Sequence, residues 1–435
     1  MTVAVMKTKA ELALAEQFQC AIATLPGGAD VARARRGAIA AFGELGLPHR
    51  RIEDWKYTDL RTSFKEPAPP ALADEAKLTV ADLIVALGPY MDLEAPRIVF
   101  VNGHHRRALS NLDGAAGIRV VPLSEHFDTL TDQTFDAVAA LNTAFVTDGA
   151  VIDIPAKTKL DKPLLIVHLA AGKEARASTV RHKIAVGASA SATLVELFLT
   201  LPGSSPDQQT NALTEITLGD RAAISHVKSA HDGGKATHLS NWVVRLGADT
   251  AYRGFHLTSG LALARNQIAV TFVGEGSKFD MSGAFLGRGG DHIDTTMVVD
   301  HAVPRCESRE LFTGVLDGRA RGIFQGKVIV RPDAQKTDGK QMAKVLMLSP
   351  DAEFDSKPEL EIYADDVVCG HGSTAAEIDE ELLFYCQARG IPKEQARALL
   401  VESFIGEAID KVEHEGVREA LAKTAREWLA AKAGS

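Results

Sequence analysis

Four strand-like runs in the middle of the chain share one design. An aliphatic stretch stops at a glycine and resumes after a few small or charged residues. The runs are KIAVGASASATLVELFL, ALTEITLGDRAAISHV, WVVRLGADTAYRGFHL and QIAVTFVGEGSKFDMSGAFL. Their step glycines are Gly187, Gly219, Gly247 and Gly274, spaced 32, 28 and 27 residues apart. A near-constant period of this size marks a stacked solenoid, because each unit can bury its apolar face only against the next. A meander of hairpins in a sandwich also gives strand-Gly-strand units. Both readings make the region β. From about Arg97 to Cys369, short runs rich in Val, Ile, Leu and Thr alternate with Gly, Asp and Ser, and no long helical period is expected among them.

Both flanks read as helix. Leu12, Ala15, Phe18, Ile22 and Leu25 recur at helical spacing from Lys9 to Leu25, and Pro26-Gly27-Gly28 stops the run. A second helix from about Asp30 carries Val31, Ala34, Ile39, Phe42 and Leu45 and ends at Gly46-Leu47-Pro48. RIEDWKYTDLR follows, then SFKEPAPPAL. Pro67, Pro69 and Pro70 make that segment a linker by composition, with early proteolysis expected between Ser63 and Ala73. A short helix is expected over Val80 to Leu87. At the other flank, Thr374-Ala375-Ala376-Glu377 has the form of a capping box and predicts a helix with Ile378, Leu382, Tyr385 and Cys386 on one face. Gly390-Ile391-Pro392 breaks it. Two further stripes follow, Ala396, Leu399, Leu400, Phe404 and Ala408, then Val417, Ala420, Leu421, Ala425 and Trp428. The expected division is a helical unit over 1–94, a β core over 95–372 and a helical unit over 373–435.

Composition removes several function classes. The net charge of −9 gives no electrostatic reason to coat nucleic acid or an anionic membrane. Aromatics at 6% are too few for a base-stacking surface. The longest apolar stretch, Leu164 to Ala171, contains His168 and is too short to span a bilayer. Glu11 and Glu16 interrupt the region where a secretory signal needs an apolar core. Cys20, Cys306, Cys369 and Cys386 form no CxxC pair, so neither a zinc knuckle nor a disulfide scaffold is indicated. The expectation is a cytoplasmic protein with reduced thiols.

Motif searches mostly fail. Gly322 to Val328, GIFQGKV, has three residues between its glycines where a phosphate loop has four, and Val328 stands where Ser or Thr would hold magnesium. GRGGDH at Gly287 has the wrong spacing for a dinucleotide fingerprint, and both read as ordinary turns. There is no GxSxG elbow and no HExxH helix. His292 and His301 lie near Asp291, Asp294 and Asp300, as they would at any polar strand end. One constellation is sharper: Asp365-Asp366-Val367-Val368-Cys369-Gly370-His371-Gly372. In an extended strand, Cys369 and His371 project to the same side, about 7 Å apart along the chain. Thiolate and imidazole together suit iron, zinc or iron–sulfur species. Two ligands cannot close a tetrahedral site, so this half-site needs a partner chain or a transient cargo. A buried small cysteine beside a turn histidine gives the same sequence.

Longer segments carry a resemblance. VLDGRARGIFQGKVIV, AQKTDGKQ, SKPELEIYADDVVCGHGS, LLFYCQARGIP and, near the start, RRIEDWKYTDLR closely resemble the SufD family, a branch of the SufB/SufD proteins of the SUF iron–sulfur cluster assembly system. The entry motif, the few cysteines and CGHGS favour the SufD branch over SufB. The resemblance implies a right-handed parallel β-helix between N-terminal and C-terminal helical domains. It implies a complex with SufB and the SufC ATPase, the C-terminal helices docking SufC and the β-helix pairing with SufB. It places a nascent cluster at the SufB interface, with His371, and Cys369 beside it, as the ligands from this chain and no cofactor held tightly by the isolated chain. It assigns no acid, base or nucleophile, so the chain reads as a scaffold and not an enzyme. Where family members often have Gly-Ala-Thr-Val-Gly after the histidine, this chain has Gly372-Ser373-Thr374-Ala375-Ala376.

Two other readings compete. A β-helix carbohydrate-active enzyme would share the fold; the missing secretory signal and the Cys-x-His segment count against it. An exposed β-helix face that pairs with SufB could also pair with itself, giving a homodimer of the isolated chain.

Overall fold

The computed structural model describes residues 7–73, 76–127, 136–231 and 234–431. From Ala177 to Met347, strands of nine or ten residues alternate between two sheets, each pairing in parallel with the strand two before it and the strand two after it. The solenoid is therefore the architecture, and the sandwich is excluded by the parallel pairing. Register does not slip. Ala223, Ala251, Lys278, Glu307, Asp338 and Val368 stand one above the other along one sheet. Such registry follows from the period of two: a slip of one residue would turn every apolar side chain outward.

The step glycines mark one corner of every early rung. Strands Ala177–Val186, Gln209–Leu218 and Thr237–Leu246 each end immediately before Gly187, Gly219 and Gly247. A Cβ on Gly187 or Gly274 would collide with the backbone N of Ala156 or Ala248 in the rung below. Only glycine lets those corners stack at strand spacing, which is why the repeat is legible. Later corners, after His301 and Val330, turn with Pro304 and Pro332 nearby, and the glycine signature lapses.

Alternate residues fill three layers. Inward positions such as Ile216, Val244, Ile268, Phe279, Val299 and Phe312 form the core between the sheets. The outer face of the ten-stranded sheet, with Val227, Phe255 and Leu257, is covered by the helices Val80–Leu87, Lys393–Ile409 and Glu415–Ala430. The outer face of the other sheet, with Leu239 and Leu263, is covered by Lys9–Ala21, Ala29–Leu45 and Ala137–Phe145.

Several expectations change. Ala137–Phe145 is a helix inside the β region, and all nine of its residues are buried, so it shows no amphipathic period to detect. The helical stripes are partly displaced. Phe18, Val31 and Phe42 are buried as expected, whereas Leu12 and Leu45 are exposed, and Leu14, Arg35 and Ala38 take their places. Alanine-rich helices leave the facing side ambiguous by about one residue. The proline segment is pinned to the solenoid: Ala71 N donates to Ala177 O, and Ala177 N donates to Pro69 O. The Thr374 capping box does not form. Thr374, Ala375 and Ala376 pair with Lys344, Val345 and Leu346 in the ladder, and the next helix, Glu380–Ala388, is capped by Asp379. On that helix Leu383 is buried, while Leu382 and Tyr385 face out.

Candidate functional site at the open end of the solenoid

The last rung is built from Glu353–Ile362 and Val368–Ala376, and among the described residues no strand pairs beyond either. Neither strand has a buried residue. The Cys-x-His segment stands here. Register places Gly339 beside Cys369 and Gln341 beside His371. Ser308 and Glu310 lie one rung lower, beside Gly339 and Gln341.

Two inward columns result. One is Phe279, Ser308, Gly339 and Cys369; the other is Met281, Glu310, Gln341 and His371. Cys369 packs its half-buried thiol against the end of the core. A Cβ on Gly339 would lie 3.7 Å from the sulfur, so Gly339 leaves the space beneath it. Burial pushes the Cys369 thiol above its ordinary range, despite a backbone hydrogen bond at Gly339 that favours thiolate. His371 is exposed. Nothing would lie within 4 Å of a Cβ on Gly370, so the opposite face of the strand is uncovered at this point.

Cys369 and His371 share a cavity of about 580 Å³ with Asp280, Arg309, Glu310 and Gln341. Glu310 is 3% exposed, and burial pushes its carboxyl up to about 8. Arg309 and Lys340 at the mouth are both held by Asp338. Among the described residues no three His, Cys, Asp or Glu side chains stand close enough to hold a metal ion. The arrangement is an open half-site of sulfur and nitrogen donors that a second surface can complete.

The weaker candidates have structural occupations. His292 bonds the Thr58 hydroxyl at 2.8 Å. His301 bonds Ser308 Oγ at 3.1 Å and stacks on Phe272. GIFQGKV lies within the strand Arg321–Val330, where Phe324 and Val328 enter the core.

Sequence reading missed a polar interior. Glu196 accepts from His226 Nε2 at 2.8 Å and Thr214 Oγ1 at 2.9 Å, and Tyr252 bonds the other ring nitrogen of His226. Lys228, fully buried, donates to Ser240 and Asn266, and burial lowers its ammonium to about 7. The available signal was polar residues at inward parity, as in LVELF and SHVKS. Also missed was the docking of the entry motif. Arg265 pairs with Asp294 in full burial, lies over the Trp55 ring and donates to Asp54 O, while Thr58 donates to Asp294.

Comparison with known proteins identifies the family. Residues 168–404 match the family described as "SUF system FeS cluster assembly, SufBD core domain", and residues 109–166 match "SufBD protein N-terminal region". An iron–sulfur cluster assembly SufBD family protein of Synechocystis sp. is 30% identical over 400 residues, covering 87% of this chain and 86% of that protein. The iron–sulfur cluster assembly protein SufD of Escherichia coli is 29% identical, covering 86% of this chain and 87% of that protein. SufD of Bacillus subtilis is 27% identical over 65% of each chain. With a parallel β-solenoid between two sets of helices and a Cys-x-His segment on its last rung, the chain belongs to the SufBD family of iron–sulfur cluster assembly proteins.

Proposed function

We propose that the chain is a SufD-type scaffold subunit of a SUF complex. It pairs with SufB through the open rung, docks the SufC ATPase through its C-terminal helices, and presents His371, with Cys369 beside it, to a nascent cluster carried as cargo. The observation that carries this reading is the position of Cys369 and His371 on the last rung, whose two long strands have no strand beyond them among the described residues. A free strand edge pairs readily with another chain, and exposed Tyr363 and Val368 add apolar area beside it. The work is cytoplasmic and non-enzymatic on this reading. Among the described residues no helix is long and apolar enough to cross a membrane. The phosphate-loop lookalike is a core strand, so the isolated chain should show no ATP hydrolysis.

SufC docking rests on the outer face of Glu380–Ala388 and its neighbour, where Leu382, Phe384, Tyr385 and Leu399 are exposed. Phe384→Asp should reduce SufC co-elution while SufB pairing survives. The cargo role is tested by assembling a His371→Ala chain with SufB and SufC, checking the size of the complex, and measuring iron and sulfide after anaerobic reconstitution. Loading should fall in an intact complex; normal loading would remove His371 from the site.

A further inference from the structure

Six carboxylates are buried among the described residues: Glu11, Asp148, Glu196, Asp291, Asp294 and Glu310. Five of them accept hydrogen bonds. Glu11 takes Leu47 N, Asp148 takes Ser124 N, Glu196 takes His226, Asp291 takes Arg288 N and Asp294 takes Arg265. Glu310 differs. The Ser308 hydroxyl lies near, yet neither oxygen of Glu310 has a partner at ordinary hydrogen-bond geometry. Directly above it, Gln341 is also 3% exposed. Its Nε2 donates to Glu359 O at 3.3 Å, while its Oε1 has no partner. A buried polar atom without a partner is costly, and its retention points to a ligand.

We propose that Glu310 and Gln341 extend the Cys369–His371 half-site into the solenoid, forming a column of carboxylate, amide oxygen and imidazole that binds a divalent transition-metal ion of the iron class. This rests on the reading of His371 as a cargo ligand. The register supplies the geometry, since Glu310, Gln341 and His371 occupy one inward column on three successive rungs. Strands stack about 4.8 Å apart, so the outer two backbones are about 10 Å apart. An ion beside Gln341 is then within reach of a carboxylate from below and an imidazole from above, at metal–ligand distances of about 2.1 Å. Oxygen, nitrogen and thiolate donors together suit a borderline divalent ion better than calcium or magnesium. Since no three acidic, histidine or cysteine side chains are already gathered, the ion itself must draw Glu310 and His371 together. Arg309 and Lys340 stay engaged with Asp338 and do not compete for the column.

The test is an anaerobic titration of the full chain with Co²⁺, read by its d–d absorption bands. The chains compared are the wild type, Glu310→Gln, Glu310→Asp and His371→Ala, each with a thermal melt. Glu310→Gln keeps the shape of the side chain and should melt no lower than wild type. It should weaken Co²⁺ binding by about tenfold or more and shift the bands. Glu310→Asp should recover part of the affinity. Unchanged affinity and bands in Glu310→Gln would overturn the extension, as would absence of any band from the wild-type chain at millimolar Co²⁺. If His371→Ala weakens binding while Glu310→Gln does not, the extension fails and the cargo reading stands. If only Glu310→Gln weakens it, the column binds metal and the assignment of His371 fails.

Discussion

The two ends of the solenoid are made of the same kind of strand and finish differently. At the first end, Arg97–Val101 pairs antiparallel with His104–His105, and Arg119–Pro122 pairs antiparallel with Ala150–Ile154. Both reversals stop the parallel stack. The buried helix Ala137–Phe145 packs beside this end, with Asn142 bonding Val180 O and Asn211 O. The proline segment bridges at Ala177. At the last end, Glu353–Ile362 and Val368–Ala376 have no strand beyond them among the described residues, and Ile362, Tyr363 and Val368 are exposed. Strand chemistry alone does not separate these ends. What separates them is how the stack finishes, in short antiparallel strands at the first end and in long parallel strands at the last, and the last end is the one that holds the Cys-x-His segment.

This contrast can be broken by substitution. The packed interior should respond most. Asp294→Ala leaves Arg265 charged and buried without its carboxylate, and should cost about 3–5 kcal/mol in urea unfolding. A loss below about 1 kcal/mol would mean that the entry motif is not held by this pair. Gly187→Ala forces the first corners apart and should cost about 2–3 kcal/mol, whereas Gly370→Ala at the open end meets nothing and should stay within about 0.5 kcal/mol. Equal costs for the two glycines would erase the distinction between the ends.

Acid–base behaviour should differ in sign between them. In the covered interior, burial alone would raise Glu196, but the His226 hydrogen bond, with the charges of His226, His182 and Lys228, holds it down at about 2. Its contribution is present above the ordinary carboxylate range and is lost as pH falls through about 2. At the open end, folded Glu310 keeps its proton up to about 8, while the unfolded chain releases it near 4.5. Its effect on stability therefore worsens as pH rises from about 4.5 to 8 and is constant beyond. The urea midpoint of Glu310→Gln should lose less than that of wild type between pH 5 and pH 8; parallel profiles would show that Glu310 is not held neutral. The smallest stability effect is expected for His371→Ala. Its side chain is exposed and bonded to nothing described, so its melting temperature should match wild type, and a clear drop would place it inside the packed core.

The interior of the repeat was legible because glycine at a stacked corner is dictated by backbone contact. Gly187, Gly219, Gly247 and Gly274 therefore recorded the rung length without any alignment. The C-terminal stripe from Val417 to Trp428 was legible for a similar reason: every residue named on it is buried. The four-residue capping box at Thr374 was not reliable, because the ladder offered the same backbone groups more hydrogen bonds than a helix start. Helix Ala137–Phe145 escaped because a fully buried helix carries no period.

By itself the sequence determined the β texture, the rung period, the helical flanks and the side shared by Cys369 and His371, since these depend on spacing along one chain. Tertiary structure decided that Cys369 and His371 stand on the last rung, that Trp55, Arg265 and Asp294 meet, and that Glu310 and Gln341 rise beneath His371. Those neighbours are separated by about thirty residues or more in sequence and are brought together only by rung-on-rung register, which no local pattern encodes.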